Sequence, residues 1–354
     1  MSYNLGGADR ALYHWHPVLL GSELGSKPAG VRVHGQQLVV FRTSRGVAAL
    51  DDRCPHRGAR LSTGCVEADR VVCPYHLWTF DAEGHGQSPV NPRMRPFTRS
   101  YDVAEREGIV WVKPREAAAP FPEIDTTGLH LLGHYASVID APFPLVADNF
   151  TEIEHSPTNH FLFAFDAEGI RHVEPRVEVF EDSIHVVYAG PQRPQPWWAF
   201  ARVLGIQPGL RHVIDFRVRF APLAWAYDLT WEDPATGRPT GERLREFAFV
   251  TPRDEKSTSV FLLFFSSLTF LRPGHPLRPV IRRFFLSHAH TEFELDRRIC
   301  ENVADMNPRT DLDGQQLGRF DHVLRSVRKL TESVYRRGAP EAEPEVRDGA
   351  RSGA

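Results

Sequence analysis

The sequence lacks a long apolar run and has almost no excess charge of either sign. Its most apolar stretch, residues 260–271, is interrupted by Ser266, Ser267 and Thr269. It is also shorter than the about 20 residues that a membrane-spanning helix needs. The net charge of −3 gives no support for a nucleic-acid or anionic-membrane partner, and residues 1–16 lack the apolar core of a signal peptide. We therefore expect a cytoplasmic protein that binds neither nucleic acid nor membrane.

Cysteine is also scarce, and its placement argues against a disulfide framework. The 354 residues include Cys54, Cys65, Cys73 and Cys300, of which the first three lie within twenty residues. Such clustering is typical of a metal site in a reducing compartment. Cys65 lies between the other two and is predicted to be a small buried hydrophobic side chain rather than a ligand.

Two short motifs each combine one cysteine with one histidine. Cys54 and His56 form a Cys-x-His pair, and Cys73 and His76 form a Cys-x-x-His pair. Two cysteines on one iron and two histidines on the other are the ligands of a Rieske [2Fe–2S] cluster. A structural zinc site accepts the same side chains, but it usually pairs Cys with Cys and His with His along the chain. The mixed pairing favours the two-iron cluster.

The residue pattern divides the chain into a small β-rich unit and a larger mixed unit. Short strands separated by turns are predicted for residues 31–50 and again after the second Cys/His motif. Residues 117–124 consist mainly of small residues and prolines and are predicted to be a linker. We expect domains at residues 1–118 and 119–335, followed by a disordered tail at residues 336–354.

The second unit is predicted to contain helices at both ends and strands between them. One helix is expected from Pro144 to about His155, and a longer one from about Pro279 to Ala304. Between them lie several long segments of strand-like composition. This order predicts an α+β domain.

A second motif, Glu152-x-x-His155-x4-His160, lies at the end of the first predicted helix. Glu152 and His155 share a helix face, whereas His155 and His160 would be about 140° apart at about 100° per residue. The two histidines reach one metal only if the helix breaks between them, and Pro157 is expected to supply the break. Two ordinary polar histidines remain an equal alternative on the residues alone.

A carboxylate would complete a two-His, one-carboxylate iron site, and the long helix offers two candidates. Asp296 is predicted at the edge of the apolar face, while Glu292 falls on that face together with His288. Helical spacing therefore leaves Asp296 and Glu292 both open. The apolar face itself is predicted to comprise Ile281, Phe285, Leu295, Ile299 and Val303.

Three segments resemble one family, the Rieske-type non-heme iron oxygenase alpha subunits that include aromatic ring-hydroxylating oxygenases and demethylases. Residues 54–84 are similar to its Rieske domain, residues 148–160 to its mononuclear-iron motif, and residues 294–299 to the segment that carries its aspartate ligand. The layout is most similar to the vanillate O-demethylase oxygenase type. The resemblance implies a [2Fe–2S] cluster held by Cys54, His56, Cys73 and His76, and a mononuclear Fe(II) held by His155, His160 and Asp296.

The resemblance also implies an architecture and an assembly. An all-β Rieske domain should precede a helix-grip catalytic domain, in which an antiparallel sheet wraps around a helix. A head-to-tail homotrimer should place the cluster of one subunit beside the iron of its neighbour. Glu152, where the family usually has Asp, would be the carboxylate that bridges the two sites. Leu77, after the second cluster histidine, replaces the family's usual Gly.

The function implied is that of a terminal oxygenase component. It would use O2 and electrons that come indirectly from NAD(P)H, through a ferredoxin and/or flavin reductase. The reaction would be monooxygenation, by hydroxylation or O-/N-demethylation, of a small aromatic or cyclic substrate. The alternatives are cis-dihydroxylation of an aromatic ring, a non-catalytic Rieske electron-transfer protein, and a zinc-stabilised ligand-binding protein.

Overall fold

The computed structural model describes residues 11–160, 165–194, 206–304, 306, 312 and 314–336. The predicted disordered tail lies outside the described residues except for Arg336. Two sheets form the N-terminal part and one large sheet forms the rest. The domain boundary at residue 118 stays a prediction, although no helix or strand is present between residues 115 and 129.

The N-terminal part consists of two antiparallel sheets that pack together. Six strands form the larger sheet in the order β1 (His16–Leu20), β10 (Ile109–Pro114), β9 (Ser100–Arg106), β4 (Gly46–Asp51), β3 (Gln36–Thr43) and β2 (Ala29–Val33). Four short strands form the other: β5 (Cys65–Glu67), β6 (Arg70–Val72), β7 (Thr79–Phe80) and β8 (Gly86–Gln87). The all-β domain predicted from the sequence is confirmed.

Strand β3 shows how the larger sheet separates two cores. Its alternate residues Leu38 and Val40 pack into one hydrophobic cluster, while Val39 and Phe41 pack into another on the opposite face. This is the period-2 alternation of a strand that is buried on both sides. The second cluster also contains Cys54 and other residues of both Cys/His loops, so those loops rest on a packed core.

The C-terminal part is built on one seven-stranded antiparallel sheet. Its strands, in spatial order, are β11 (His130–Ile139), β17 (Thr258–Ser266), β16 (Pro239–Pro252), β15 (Leu223–Glu232), β14 (Arg211–Phe220), β13 (Ser183–Pro191) and β12 (Glu174–Val179). Along β16, Leu244 and Ala248 face a core shared with the helices, whereas Phe247 and Phe249 face the N-terminal sheets. The rings of Phe249 and Trp111 meet edge to face, with centroids 4.7 Å apart.

The helices of the C-terminal part lie on one side of this sheet, as expected for a helix-grip domain. They are α1 (Phe143–Asn149), α2 (Ser156–Asn159), α3 (Arg278–Glu301) and α4 (His322–Leu330), which continues as a π-helical turn at Thr331–Tyr335. No helix in the described ranges is both long and apolar enough to cross a membrane.

The first helix ends earlier than the sequence predicts. It was expected to reach about His155, but α1 stops at Asn149. Tyr227 donates its hydroxyl proton to the carbonyl of Phe150, and Tyr188 donates to that of Thr151 at 3.3 Å. These tertiary bonds take carbonyls that a longer helix would have used internally. The expected role of Pro157 is therefore wrong: it lies in the first turn of α2 and does not break a helix.

The buried face of α3 also differs from the predicted one. Ile281 and Phe285 are buried as expected, but Ile299 is 42% exposed. Asp296 is buried near the middle of this face and not at its edge. The face is rotated because α3 packs against α2 as well as the sheet, and a hydrogen bond from α2 draws Asp296 inward.

Cys65 is exposed, so the prediction of a buried side chain is wrong. It lies on β5, whose side chains alternate between solvent and a partly buried Val66. The thiol points outward and lies 3.6 Å from a carboxylate oxygen of Glu67. Strand alternation thus decides its exposure, not the nature of the thiol.

Three histidines of the N-terminal part pack against the final helical turn. The ring of His14 stacks on that of Tyr335 with centroids 5.3 Å apart, and His34 Nε2 lies 2.8 Å from the Tyr335 hydroxyl. The ring of His16 lies 5.1 Å from that of His34. Burial lowers the pKa of all three, that of His34 to about 3. The folded protein therefore holds these histidines neutral below the pH at which they protonate in the unfolded chain.

This cluster predicts a loss of stability in mild acid. As pH falls below about 6.5, these histidines bind protons in the unfolded chain but stay neutral in the folded protein. The free energy of unfolding therefore falls by up to about 1.4 kcal/mol per pH unit for each histidine. His34→Asn removes one such group and suits the backbone, because residue 34 has φ +46° in a two-residue turn before Gly35. We expect urea unfolding midpoints of this variant to fall less steeply between pH 6.5 and 4.5. The exposed His172→Asn serves as the control, and equal slopes in all three proteins would contradict the prediction.

Candidate functional site

Two loops with the same backbone hydrogen bonds carry the four predicted cluster ligands. In the first loop, the Cys54 amide donates to the Ala59 carbonyl at 2.8 Å. In the second, between β6 and β7, the Cys73 amide donates to the Trp78 carbonyl at 2.8 Å. Each loop thus folds back over its cysteine and presents its histidine beside it.

The fifth residue of each loop has a left-handed backbone. Gly58 donates its amide to the Cys54 carbonyl at 2.9 Å and has φ +73°, while Leu77 donates to the Cys73 carbonyl at 3.1 Å and has φ +58°. The two positions are equivalent, but only glycine adopts this conformation without steric cost. Leu77 is also 61% exposed, so no burial of its side chain offsets that cost.

The ligands are arranged with the thiols inside and the imidazoles outside. Cys54 and Cys73 are buried, whereas His56 is exposed and His76 is half-buried. The two imidazole centroids are 4.5 Å apart, and the His56 ring stacks on Trp78 with an interplanar angle of 4°. Burial, together with the neighbouring Cys73, raises the pKa of Cys54. Bound iron would remove that cost, because coordination replaces the thiol proton.

The spread of these four residues does not suit a single zinc ion. Four ligands of a tetrahedral zinc lie within about 4 Å of one another, given metal–ligand distances of about 2.0–2.3 Å. Among the described residues, no three of these four bring their ligand atoms within 4.8 Å of one another. A two-iron cluster, with one pair of ligands on each iron, fits this wider spacing.

The second site brings His155, His160 and Asp296 together. The Nε2 atoms of the two histidines are 3.0 Å apart, and they lie 3.7 and 3.6 Å from the Asp296 carboxylate oxygens, respectively. His155 immediately precedes α2 and His160 immediately follows it, so one helical turn brings their rings together. Asp296 approaches from α3.

These distances fit one metal ion with three ligands on one face. Ligand atoms about 2.1 Å from a metal and at right angles to one another lie about 3.0 Å apart. The observed separations of 3.0–3.7 Å approach this value. Two imidazoles and one carboxylate with open positions are the ligands of non-heme Fe(II) oxygenases. The donor set therefore fits the mononuclear iron that the sequence predicts.

Each histidine has a carboxylate behind it. Glu152 Oε1 lies 2.5 Å from His155 Nδ1, and its other oxygen accepts a hydrogen bond from the amide of Glu154. Glu292 Oε2 lies 3.5 Å from His160 Nδ1. Such contacts hold the Nδ1 proton, so that Nε2 is free to bind a metal. Glu292, which the sequence left open as a third ligand, thus lies behind His160 and not in the ligand triad.

Asn159 links the two halves of the triad. Its side-chain amide donates to Asp296 Oδ1 at 3.0 Å, and both residues are buried. The bond joins the last residue of α2 to α3. It therefore fixes the orientation of the carboxylate relative to the two histidines.

A cavity of about 160 Å³ opens directly onto the triad. Strands β14–β17 supply one side of its wall, and α3 and residues 149–160 supply the rest. Its surface is mainly hydrophobic, with few polar groups, as is typical of a small-molecule site. The hydrophobic lining residues include Ile214, Phe216, Leu229, Leu244, Leu262, Phe264, Phe285 and Phe293.

The electrostatics around the triad suit a cation. Burial alone would lower the pKa of His160, but Asp296 and Glu292 together raise it to about 9. Glu246 lines the same cavity, and its burial raises its pKa to about 8 despite the opposing effect of His160. Three carboxylates thus surround His160, and a divalent metal would neutralise part of their charge.

Comparison with known protein families gives a match for each of the two parts of the chain. Residues 14–102 match the Rieske [2Fe-2S] domain family, and residues 139–337 match the vanillate O-demethylase oxygenase C-terminal domain family. The second match alone covers more than half of the chain. The chain belongs to the vanillate O-demethylase type of Rieske oxygenase. Family and fold class are therefore confirmed as predicted from the sequence.

Individual relatives in this family align over part of their length. The chain is 35% identical over 159 residues to the dicamba O-demethylase oxygenase component of Stenotrophomonas maltophilia, covering 41% of this chain and 46% of that protein. It is 29% identical over 199 residues to the methylxanthine N1-demethylase NdmA of Pseudomonas putida, covering 51% and 56%. The chain thus spans about half the length of these relatives.

A solved structure shows the same fold over nearly the whole chain. Dicamba monooxygenase bound to 3,6-dichlorosalicylic acid superposes with a TM-score of 0.77, covering 92% of this Rieske oxygenase and 98% of the other chain. Sequence identity in that superposition is 23%, so the likeness concerns the fold. The assignment of individual ligands stays a prediction that the site geometry supports.

Sequence reasoning missed three residues of these sites. Trp78, which stacks on His56, and Asn159, which holds Asp296, have no motif that distinguishes them. Glu246 did have a signal, because strand alternation places it on the same face as Leu244 and Ala248. A single acidic residue on an apolar strand face indicates a buried carboxylate.

The left-handed backbone at Leu77 yields a prediction for the cluster loop. Leu77→Gly and Leu77→Ala both remove the side chain, but alanine keeps the β-carbon that makes this conformation costly. We expect the glycine variant to be about 1 kcal/mol more stable than the alanine variant in urea unfolding of the cluster-loaded protein.

Gly58→Ala is the matched control in the equivalent loop. A β-carbon at residue 58 would contact nothing closer than Arg53 Nε at 3.5 Å, so only the backbone conformation is tested. We expect Gly58→Ala to cost about the same 1 kcal/mol. Equal stability of the two Leu77 variants would contradict the strain that we assign to this position.

Proposed function

We propose that the chain is the terminal oxygenase component of a monooxygenase that hydroxylates, or O- or N-demethylates, a small aromatic or cyclic substrate. The convergence of His155, His160 and Asp296 beside a mainly apolar cavity carries this proposal. The overall reaction inserts one oxygen atom of O2 into a C–H bond. The other oxygen leaves as water, after uptake of two electrons and two protons.

The residues of the chain have separate roles in this proposal. When bound, the mononuclear iron supplies the site for O2 and the [2Fe–2S] cluster supplies electrons singly. His155, His160 and Asp296 would hold the metal beside the cavity. Glu152 and Glu292 keep the two imidazoles oriented. The hydrophobic lining excludes water and orients the substrate.

We infer that electrons reach the iron site from a neighbouring subunit in a head-to-tail homotrimer. A separate cleft of about 290 Å³ lies beside His155, and its acidic lining residues are Asp148, Glu152, Glu154 and Asp321. The surface around the cluster histidines is basic, with Arg53, Arg57 and Arg60 all exposed. This complementarity of charge supports docking of one subunit's cluster loops into another's acidic cleft.

We infer that Glu152 connects the two sites across that interface. One of its oxygens contacts His155, and the residue also lines the acidic cleft. A histidine of a docked cluster loop would meet this carboxylate. Glutamate in place of the family's usual aspartate extends the reach by one methylene.

The electron donor would be a ferredoxin and/or a flavin reductase that draws on NAD(P)H. The exposed imidazole of His56 supports such an exchange, because it brings the edge of the cluster site to the surface. Three cysteines near the cluster, none of them in a disulfide, support a reducing cytoplasm as the location.

The ligand assignment predicts a definite iron content. Purified protein should contain about three irons per chain, two in the cluster and one in the mononuclear site. Asp296→Ala should retain about two, with an unchanged cluster EPR signal, because it removes one of three ligands. Glu294→Ala, on the same helix but paired with Arg297, is the matched control and should retain about three. About two irons in the unaltered protein would favour a non-catalytic Rieske carrier, and zinc without an EPR signal would favour a structural zinc site.

The bridging role predicts different outcomes for two changes at residue 152. Glu152→Gln keeps size but loses charge, so reductase-driven turnover should fall by about 10- to 100-fold while iron content is unchanged. Glu152→Asp keeps the carboxylate and should retain most of the activity. Reoxidation of the reduced cluster in a single turnover measures the electron-transfer step directly. An unchanged rate of cluster reoxidation in Glu152→Gln would contradict the bridging role.

The type of reaction is tested separately with ¹⁸O2. Two labelled oxygen atoms in the product would indicate dihydroxylation instead of monooxygenation.

A further inference from the structure

Glu246 is a carboxylate in the cavity wall that neither metal site uses. It lies on β16 between Leu244 and Ala248, which both belong to the hydrophobic core. Its cross-strand neighbours are Tyr227 on β15 and Phe264 on β17. The carboxylate therefore projects from the sheet into the cavity, among largely apolar groups.

The described part of the chain gives this carboxylate no hydrogen-bond donor and no ion pair. Tyr227 is the nearest polar neighbour across the strand, but it donates its hydroxyl to the carbonyl of Phe150. The pKa of Glu246 is shifted by burial and by the charges of His160, Asp296 and Glu292, and no hydrogen bond contributes to the shift. A buried carboxylate without a donor is unfavourable, and proteins keep such groups mainly where a ligand completes them.

The two side chains outside the triad that line the cavity and can carry positive charge, Arg245 and His288, both have partners within the protein. His288 Nδ1 lies 2.9 Å from the carbonyl oxygen of Phe284. Arg245 contributes to the lining, but its guanidinium is bound to Asp228 and to Asp125. The other two cavity carboxylates outside the triad, Glu152 and Glu292, already contact His155 and His160, respectively. Fe(II) bound at the triad would favour the ionised form of Glu246, because nearby positive charge lowers the pKa of a carboxyl group. A substrate carboxylate would then meet negative charge at Glu246.

We propose that Glu246 anchors the substrate through a hydrogen-bond donor and selects neutral or cationic molecules with an N–H or O–H group over aromatic carboxylates. The inference rests on the proposed oxygenase function, because it takes the cavity beside the triad as the substrate site. Glu246 lies on the sheet and the triad on the helices. A molecule small enough for a cavity of about 160 Å³ would contact Glu246 on the sheet side and the triad on the helix side.

Four methoxybenzenes that differ only in the para substituent test the proposal. They are 4-methoxybenzylamine, 4-methoxyphenol, 4-methoxytoluene and 4-methoxybenzoate, with a cationic donor, a neutral donor, no donor and an anion, respectively. Binding to the iron-loaded, cluster-containing protein is measured by calorimetry without O2. We expect one or both donors to bind about tenfold or more tightly than the toluene and the benzoate, as one charge-assisted hydrogen bond allows.

Comparison of the first two probes distinguishes a cationic from a neutral donor. Tighter binding of the amine would assign an ammonium group, and tighter binding of the phenol would assign a neutral hydroxyl. Preferential binding of the benzoate would overturn the proposal. Absence of any discrimination, including failure of all four probes to bind, would overturn it as well.

Two glutamate-to-glutamine variants on the same strand distinguish the role of Glu246 from a general effect of charge. Glu246→Gln should bring the affinity ratio of the tighter-binding donor to the benzoate to about one, because it removes the charge but keeps the size. Glu242→Gln, where the native carboxylate is bound by Ser267 away from the cavity, should leave the ratio unchanged. An unchanged ratio in Glu246→Gln would overturn the proposal, and the ratio in the unaltered protein tests it even if that variant does not fold.

Iron content distinguishes failure of this inference from failure of the proposed function. Preference for the benzoate in a protein with the mononuclear iron in place would reject only the role of Glu246. Absence of that iron from the unaltered protein would reject the oxygenase itself.

Discussion

The predicted iron site of this protein depends on the convergence of three side chains from two distant segments. The histidines flank one turn of helix, and the carboxylate comes from a helix far along the chain. The side-chain amide of Asn159 donates a hydrogen bond to Asp296, which lies 137 residues further along the chain. This bond fixes the orientation of the Asp296 carboxylate. The early end of α1 is part of the same constraint, because a continuous helix would point the two histidines in different directions. Tyrosines from the sheet impose that early end by binding the carbonyls of Phe150 and Thr151.

The parts of this structure that could be predicted are those with local chemical rules. The cluster ligands lie in two short motifs, each folded by contacts within a few residues, so their spacing predicts their chemistry. Strand patterns predicted the sheets for the same reason, since alternation depends on neighbouring residues. The family resemblance decided between Asp296 and Glu292 where helical spacing could not.

The failures all arise from contacts between distant elements. Sequence periodicity could not show that Tyr227 and Tyr188 end α1, nor that α2 draws Asp296 into the buried face of α3. Cys65 was predicted buried because free cysteines usually are, but its place on a short surface strand decides its exposure. Asn159 was missed because asparagine in a short helix carries no signal of its partner.

The protein divides its tasks between two kinds of element. The predicted metal ligands come from a helix and the ends of another, whereas much of the cavity wall comes from alternate residues of β14–β17. Backbone hydrogen bonds hold those strands whatever side chain projects from them. A replacement on the cavity face can therefore reshape the site without moving a metal ligand. Substitutions on the sheet could therefore change substrate specificity during evolution, while the residues on the helices keep the predicted metal site unchanged.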